Sequence, residues 1–178
     1  MVVEAFREAF PEAVEEEAAV VPGRSLVPNT KFRFMEPPTM VDGELELLLD
    51  ARKEGNNRKG LLPAYHFNMI NSATGKEMGH IRLRIGSESE VKYFGNIGYD
   101  VNEEFRGNKY AARSIKLILP FAFKHGLENV WISCSPDNLA SRRSCEIAGG
   151  VMTGIFDIPK EDEMYKEGER QKCWYRFG

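Results

Sequence analysis

The sequence is short of cysteine, of long apolar runs and of dense basic stretches. Its three cysteines, Cys134, Cys145 and Cys173, sit in no Cys-x-x-Cys spacing and cannot all pair within the 178 residues. That usage argues against a zinc ribbon or a disulfide framework and for a reducing compartment, so a cytoplasmic location is expected, with no metal. No apolar run approaches the ~18 residues that a membrane span requires. The longest candidate, Ile115 to Phe123, is interrupted by Lys116 and Pro120. The acidic N-terminus lacks the basic-then-apolar order of a secretory signal. No dense Lys/Arg stripe is present either, so neither membrane nor nucleic acid is expected as a partner; nucleic-acid affinity scales with the phosphates a protein neutralises.

What is present is an ordinary globular composition, 42% hydrophobic and 29% charged. A chain this long can bury roughly 70% of its unfolded surface, enough for one sizeable core. The net charge of −3 is uneven: residues 1–20 carry six glutamates against Arg7, and the remainder is slightly positive. Val3, Phe6, Phe10 and Val14 fall on one helical face opposite those glutamates, with Pro11 interrupting the pattern. Residues 21–28, rich in proline and glycine, read as a linker. Two parts are therefore expected: an acidic helical extension and linker over 1–30, and a folded domain over 31–178.

Within that domain, Lys31 to Phe34 reads as a short strand. Val41 to Arg52 reads as a helix, with Leu45, Leu48 and Leu49 on one face. Tyr65 to Ile70 and Ile81 to Ile85 read as strands joined by a turn at 71–75; the second alternates Ile81, Leu83 and Ile85 with His80, Arg82 and Arg84. Val91 to Val101 reads as another strand. Asn108 to Leu119 is helical in pattern, VWISC at 130–134 reads as a strand covered on both faces, and Leu139 to Ala148 is a second helix ended by Gly149-Gly150. Two further strands, 151–158 and 172–177, flank a charged loop. The strands ending at Val101 and starting at Val130 are joined by a helix and are expected to be parallel. The fold class expected is mixed α/β: a central mixed sheet of six to seven strands with helices on both faces.

The segment Ile97 to Ala112 places a strand, a short loop and a helix start in succession, with Gly107, Ala111 and Ala112 giving close access to backbone amides. Such a start favours a bound anion, because its first N–H groups lack helical partners and the helix dipole is positive there. Phe105-Arg106-Gly107-Asn108-Lys109-Tyr110-Ala111 resembles the pyrophosphate motif (Q/R)-x-x-G-x-(G/A) of the GNAT superfamily of N-acetyltransferases, with Lys109 where the pattern has glycine. Asn138 to Gly150 resembles the same superfamily's N-x-x-[AS]-x-x-x-x-E-x-x-G signature at Asn138, Ser141, Glu146 and Gly149, and its Ser-Arg-Arg run is similar to the ribosomal-protein N-terminal acetyltransferase branch.

The resemblance implies a GNAT-like fold, acetyl-CoA as cosubstrate, and a primary amine, on a small molecule or a protein N-terminus, as acceptor in a ternary complex. It implies that the amides following Arg106, at Gly107, Asn108, Lys109, Tyr110, Ala111 and Ala112, cradle the pyrophosphate. The backbone from Tyr99 to Val101 would pair with the pantetheine arm, and Asn138 and Ser141 would lie along it. If the turn needs only right-handed helical φ, the amide of Lys109 still serves and its ammonium adds a phosphate contact. Where many members carry a proton-donating tyrosine, seven residues after the asparagine, this chain has Cys145. A thiol could take that part or be a small buried core residue. Ser133 stands where some relatives carry a glutamate base, which leaves Asp100, Glu103, Glu104 or water. Asp100 and Cys145 are thus the candidate catalytic residues. His66 and His80 lie on neighbouring strands without a third ligand at metal spacing, and His125 reads as a helix-terminal residue complementing the dipole. A homodimer is compatible with these readings. The alternatives are a catalytically weak or inactive CoA-binding module and an enzyme for a longer acyl-CoA.

Overall fold

Alternation of apolar and polar side chains over residues 64–84 sets the frame of the molecule. In the computed structural model, which describes residues 32–56, 60–91 and 94–178, strand β3 (Ala64–Asn71) and strand β4 (Glu77–Arg84) form an antiparallel hairpin. Tyr65, Phe67 and Met69 on β3 and Ile81 and Leu83 on β4 are fully buried on one face. The hairpin turn is made by the Asn71 carboxamide, whose oxygen accepts from the amides of Ala73 and Thr74 at 3.0 Å each. Strands β1 (Val41–Asp42) and β2 (Leu45–Lys53) extend this sheet on one side and β5 (Ile97–Val101) on the other, in the order β1-β2-β3-β4-β5. A second sheet has the order β6-β8-β7, from β6 (Val130–Cys134), β7 (Val151–Asp157) and β8 (Gln171–Phe177).

The class is mixed α/β as expected. The described residues hold eight strands, and both ladders are antiparallel throughout. The expected parallel ladder between β5 and β6 does not form. The two strands adjoin at their starts, where the Asn96 amide donates to the Trp131 carbonyl (2.7 Å) and the Trp131 amide to Asn96 Oδ1 (2.9 Å). Beyond that joint no ladder connects them, and the Tyr99 side chain reaches from β5 to Ser141 on the helix that follows β6.

Helix α1 (Tyr110–Lys124) buries Ala112, Ile115, Ile118, Phe121 and Ala122 against the first sheet, and runs one turn past the expected end with Pro120 on its exposed side. Helix α2 (Leu139–Ala148) has the expected bounds, with Asn138 Oδ1 accepting from the Ser141 amide at 2.9 Å and Gly149 at φ +98° closing it. Its buried residue is Cys145, while Ala140 is exposed. A short helix α3 (Glu163–Lys166) lies in the charged loop.

Three local expectations are corrected. The segment 41–52 is a hairpin: Leu45, Leu47 and Leu49 share one face and Leu48 is exposed, so the leucine cluster obeys a period of two as well as a helical one. Gly43 at φ +56° makes the tight turn between its strands, which a helix would not contain. Residues 32–34 pair with no strand. Phe32 and Phe34 instead pack on Tyr65 and His125, with Phe34 5.1 Å from Tyr65, and the Tyr65 hydroxyl accepts from the Met35 amide at 2.7 Å. Strand β5 begins at Ile97, not Val91; Val91 anchors its loop in a separate cluster with Trp131, Phe156 and Trp174. The helical extension expected over 1–30 lies outside the described residues. Among the described residues no helix is long and apolar enough to cross a membrane.

Candidate cofactor cleft and active site

The chain leaving β5 turns sharply through a single 3-10 turn, Glu103–Phe105. Arg106 folds back so that its Nε donates to the Val101 carbonyl at 2.9 Å, and Asn108 Nδ2 donates to the Phe105 carbonyl at 3.1 Å. These side-chain bonds shape the loop that delivers the backbone to α1. Gly107 takes φ +85°, and a Cβ there would point into open space. The residue preceding α1 is Lys109, which offers no side-chain cap, and the first turn contains no acidic residue. The helix start therefore has neither a side-chain cap nor an acidic residue of its own first turn, and amides without such partners attract an anion.

Lys109 has φ +62°, the one non-glycine residue with positive φ among the described residues. The expectation that this turn needs only right-handed helical φ is overturned. The position demands the left-handed conformation that the glycine of the family pattern adopts freely, and here a lysine accepts the strain. Its amide keeps its place in the turn.

A cleft of about 360 Å³ opens at this loop. Tyr99, Val101, Arg106, Gly107, Lys109, Tyr110, Ala111, Asn138 and Ser141 line it, so nine of the expected cofactor residues converge from β5, the loop, α1 and α2. Asn108 and Ala112 do not line it: the Asn108 side chain is spent within the loop, and Ala112 is turned into the core. Phe105, Ala140 and Ser144 also line it and were missed. Ala140 and Ser144 stand four residues apart on the helix that carries Ser141, and their small size was the available signal.

Asp100 lines the cleft as well. Its partner in the register is His80, so its side chain stands on the sheet face opposite Tyr99, whose partner is Ile81. Cys145 is fully buried and is not in the cleft wall. It lies behind Tyr99, with Sγ 3.6 Å from the phenol oxygen, while that oxygen and Ser141 Oγ are 2.8 Å apart. Burial pushes the Cys145 thiol up to about 12, against a smaller opposing effect of the Tyr99 hydroxyl, and burial likewise raises the Tyr99 phenol well above its usual range. Both groups hold their protons at neutral pH.

Beside the cleft, Arg113 joins α1 to the β1–β2 turn. Its Nε donates to Asp42 Oδ2 at 2.7 Å and its Nη1 to Glu44 Oε1 at 2.8 Å, while the Tyr110 hydroxyl donates to the same Glu44 oxygen at 2.9 Å. The Arg113 hydrogen bond, the backbone and Tyr110 hold the Glu44 carboxyl down at about 2. His125 sits among Phe32, Tyr65 and Phe121 with its pKa lowered by burial and by Lys124, which corrects the reading of it as a cation serving the helix dipole. No group of three or more His, Cys, Asp or Glu residues able to hold a metal is found among the described residues.

The family model described as an acetyltransferase (GNAT) domain matches residues 15–151. No curated protein matches the chain. Among solved structures, it is similar to a GNAT-family acetyltransferase from Bacillus anthracis, with TM-score 0.52 and 22% identity over 63% of this chain and 64% of that one. It is also similar to a ribosomal-protein-S5-alanine acetyltransferase from Vibrio fischeri, with TM-score 0.52 and 19% identity over 64% of this chain and 61% of that one. A third likeness is to a ribosomal L7/L12 alpha-N-protein acetyltransferase in complex with coenzyme A, with TM-score 0.51 and 16% identity over 64% and 61%. These matches span just under two thirds of each relative's length and show a shared fold. On the match of the family model to most of its length, together with the two motifs that meet at this cleft, the chain belongs to the GNAT family of acetyltransferases.

Proposed function

We propose that the protein transfers an acetyl group from acetyl-CoA to a primary amine within a ternary complex. The observation that carries this reading is the uncapped start of α1, opening through Gly107 and Ala111 onto a cleft that continues along the free edge of β5. The residues fit the cofactor: Ala111 and Gly107 leave room for a pyrophosphate at the amides, and Arg106 and Lys109 supply positive charge in the wall. β5 pairs only with β4, so its outer edge offers backbone donors and acceptors to the amides of a pantetheine arm. When bound, acetyl-CoA supplies an activated thioester carbon. This chain's part is to hold it still, present a backbone N–H of β5 to the charge that develops on the carbonyl oxygen, and manage two protons.

The first proton is that of the acceptor ammonium. For a lysine-like amine of pKa about 10.4, neutralisation at pH 7 costs roughly 4–5 kcal/mol; for an α-amine of pKa about 8 it costs roughly 1 kcal/mol. Asp100, exposed at the rim, is the one carboxylate lining the cleft, and it acts directly or through water. An exposed carboxylate suits an α-amine, and one of the structural relatives is a ribosomal L7/L12 alpha-N-protein acetyltransferase. The second proton goes to the departing thiolate. That proton is the one the attacking nitrogen sheds, and the Tyr99 hydroxyl, bonded to Ser141 with Cys145 behind it, faces the cleft and hydrogen-bonds the departing sulfur.

A second reading, a CoA-binding module with little turnover, draws on the strained lysine at position 109. Thermal unfolding with acetyl-CoA, CoA and dephospho-CoA, followed by thiol release in the presence of peptides with free N-termini, separates the two. At about 100 times its dissociation constant acetyl-CoA adds about 2.7 kcal/mol, a rise of several degrees. Ala111→Glu, which puts a carboxylate at the helix start, is expected to abolish that rise. A rise that survives Ala111→Glu places the cofactor elsewhere, and a rise without thiol release favours the binding module.

A further inference from the structure

The five-stranded sheet has a second face, opposite α1. Cross-strand register places Asn68, His66, His80, Arg82 and Asp100 there, with Arg82 directly across from Gly98. The Arg82 side chain lies over that glycine: a Cβ built at position 98 would be 2.8 Å from Arg82 Nε and 3.4 Å from its Nη2. Gly98 has ordinary backbone geometry, so the absence of a side chain serves to let the arginine cross β5. β5 is the last strand of its ladder, and beyond it is the divergence from β6 into which the cleft opens.

Arg82 is exposed and makes no hydrogen bond or ion pair with any described residue. Other cations stand beside it. Arg84, half-buried on the same strand, donates from Nη1 to the Gly95 carbonyl at 3.2 Å and lies 5.3 Å from the Phe94 ring centroid, with no carboxylate partner among the described residues. Lys53, Arg82 and Arg84 all disfavour the charged form of His66, with Asp50 alone opposing them, and Arg82 adds to the burial that lowers Arg84. Asp100 stands two residues along, across from His80. A guanidinium held over a strand, unpaired and next to a second one, is poised for an outside anion.

We propose that Arg82, laid across Gly98 at the free edge of β5, seats a carboxylate of the acceptor, so that the substrate is a peptide N-terminus followed by acidic residues. This rests on the acetyl-transfer reading above.

The test uses the full chain with acetyl-CoA and three C-terminally amidated peptides, Ala-Asp-Asp-Ala, Ala-Asn-Asn-Ala and Ala-Lys-Lys-Ala, with free alanine as a fourth arm that carries only a main-chain carboxylate. The acidic peptide is expected to exceed the neutral one by about tenfold in kcat/KM, chiefly through KM, as one charge-assisted hydrogen bond provides. Arg82→Gln should bring that ratio to about one. Gly98→Ala, which displaces the guanidinium without removing its charge, should do the same; folding of both variants is checked by their melting curves. Equal rates on acidic and neutral peptides, a preference for the lysine peptide or for free alanine, or a preference that survives Arg82→Gln overturns the proposal while leaving acetyl transfer intact. If no peptide is acetylated, the His66 ring signals report binding of Ala-Asp-Asp-Ala directly. A shift present in the wild type and absent in Arg82→Gln supports the seat, and no shift in the wild type overturns it.

Discussion

Lys109 concentrates the tension between sequence and site. Its left-handed backbone costs a non-glycine residue about 1–2 kcal/mol, part of which glycine would return through its freer unfolded chain. Lys109→Gly is therefore expected to raise stability by about 1 kcal/mol, or roughly 2–4 °C in Tm for a chain this size. Acetyl-CoA affinity should stay within a few fold, since the amide remains and only the ammonium is lost. A lower Tm would mean that the lysine side chain compensates its own strain through a contact. The motif was legible in the letters of the sequence, but the conformation was not: a lysine at the glycine position says that something differs, and only φ says that the turn has not changed. Cys145 shows the converse. Its place in the helix was legible, yet its position behind Tyr99 depends on a side chain from another strand, which local pattern does not carry.

At the scale of elements, the β1–β2 turn is tied to the first turn of α1 by Glu44, Arg113 and Tyr110. The Glu44 carboxyl is held at about 2, below its ordinary 4.5. A depressed carboxylate pKa contributes stability that is fully present above the unfolded value and is lost as pH falls toward the folded one. Melting curves of the wild type and Glu44→Gln should thus differ above about pH 5 and converge between pH 4.5 and 2. A gap that stays constant over that window would show that the carboxylate's charge is not what the tie uses. This hairpin is also where sequence reading failed. Leu45, Leu48 and Leu49 satisfy a helix and Leu45, Leu47 and Leu49 satisfy a strand. The decision is made by Leu45–Lys53 pairing with residues 64–71, a contact invisible in a local window. Helix α2 was read to the residue because its signals are local, an asparagine cap and a terminal glycine.

Across the whole molecule, two antiparallel ladders meet at one point and then part, and the cleft lies at the end of β5 away from that point. Asn96 is that point. It is 1% exposed, its Nδ2 donates to the carbonyls of Arg84 (3.3 Å) and Gly86 (3.2 Å), and its Oδ1 accepts from the Trp131 amide. Its backbone bonds Arg84 on one side and Trp131 on the other at 2.7 Å each. One buried residue therefore fixes where β5 and β6 touch. Asn96→Ala removes three side-chain bonds and leaves buried backbone groups without those partners, at a cost of about 2–3 kcal/mol, or roughly 5–10 °C in Tm. Asn96→Asp keeps the acceptor for Trp131 but replaces the donor facing two carbonyls with a second acceptor, and is expected to destabilise at least as much. If the joint also sets the width of the cleft, the Asn96→Ala protein that remains folded should bind acetyl-CoA more weakly than the wild type. Binding is measured by titration well below its Tm, where loss of stability alone leaves the folded fraction near one. Unchanged affinity there would mean that the cleft walls are held by α1 and α2 and owe nothing to the point where the two sheets meet.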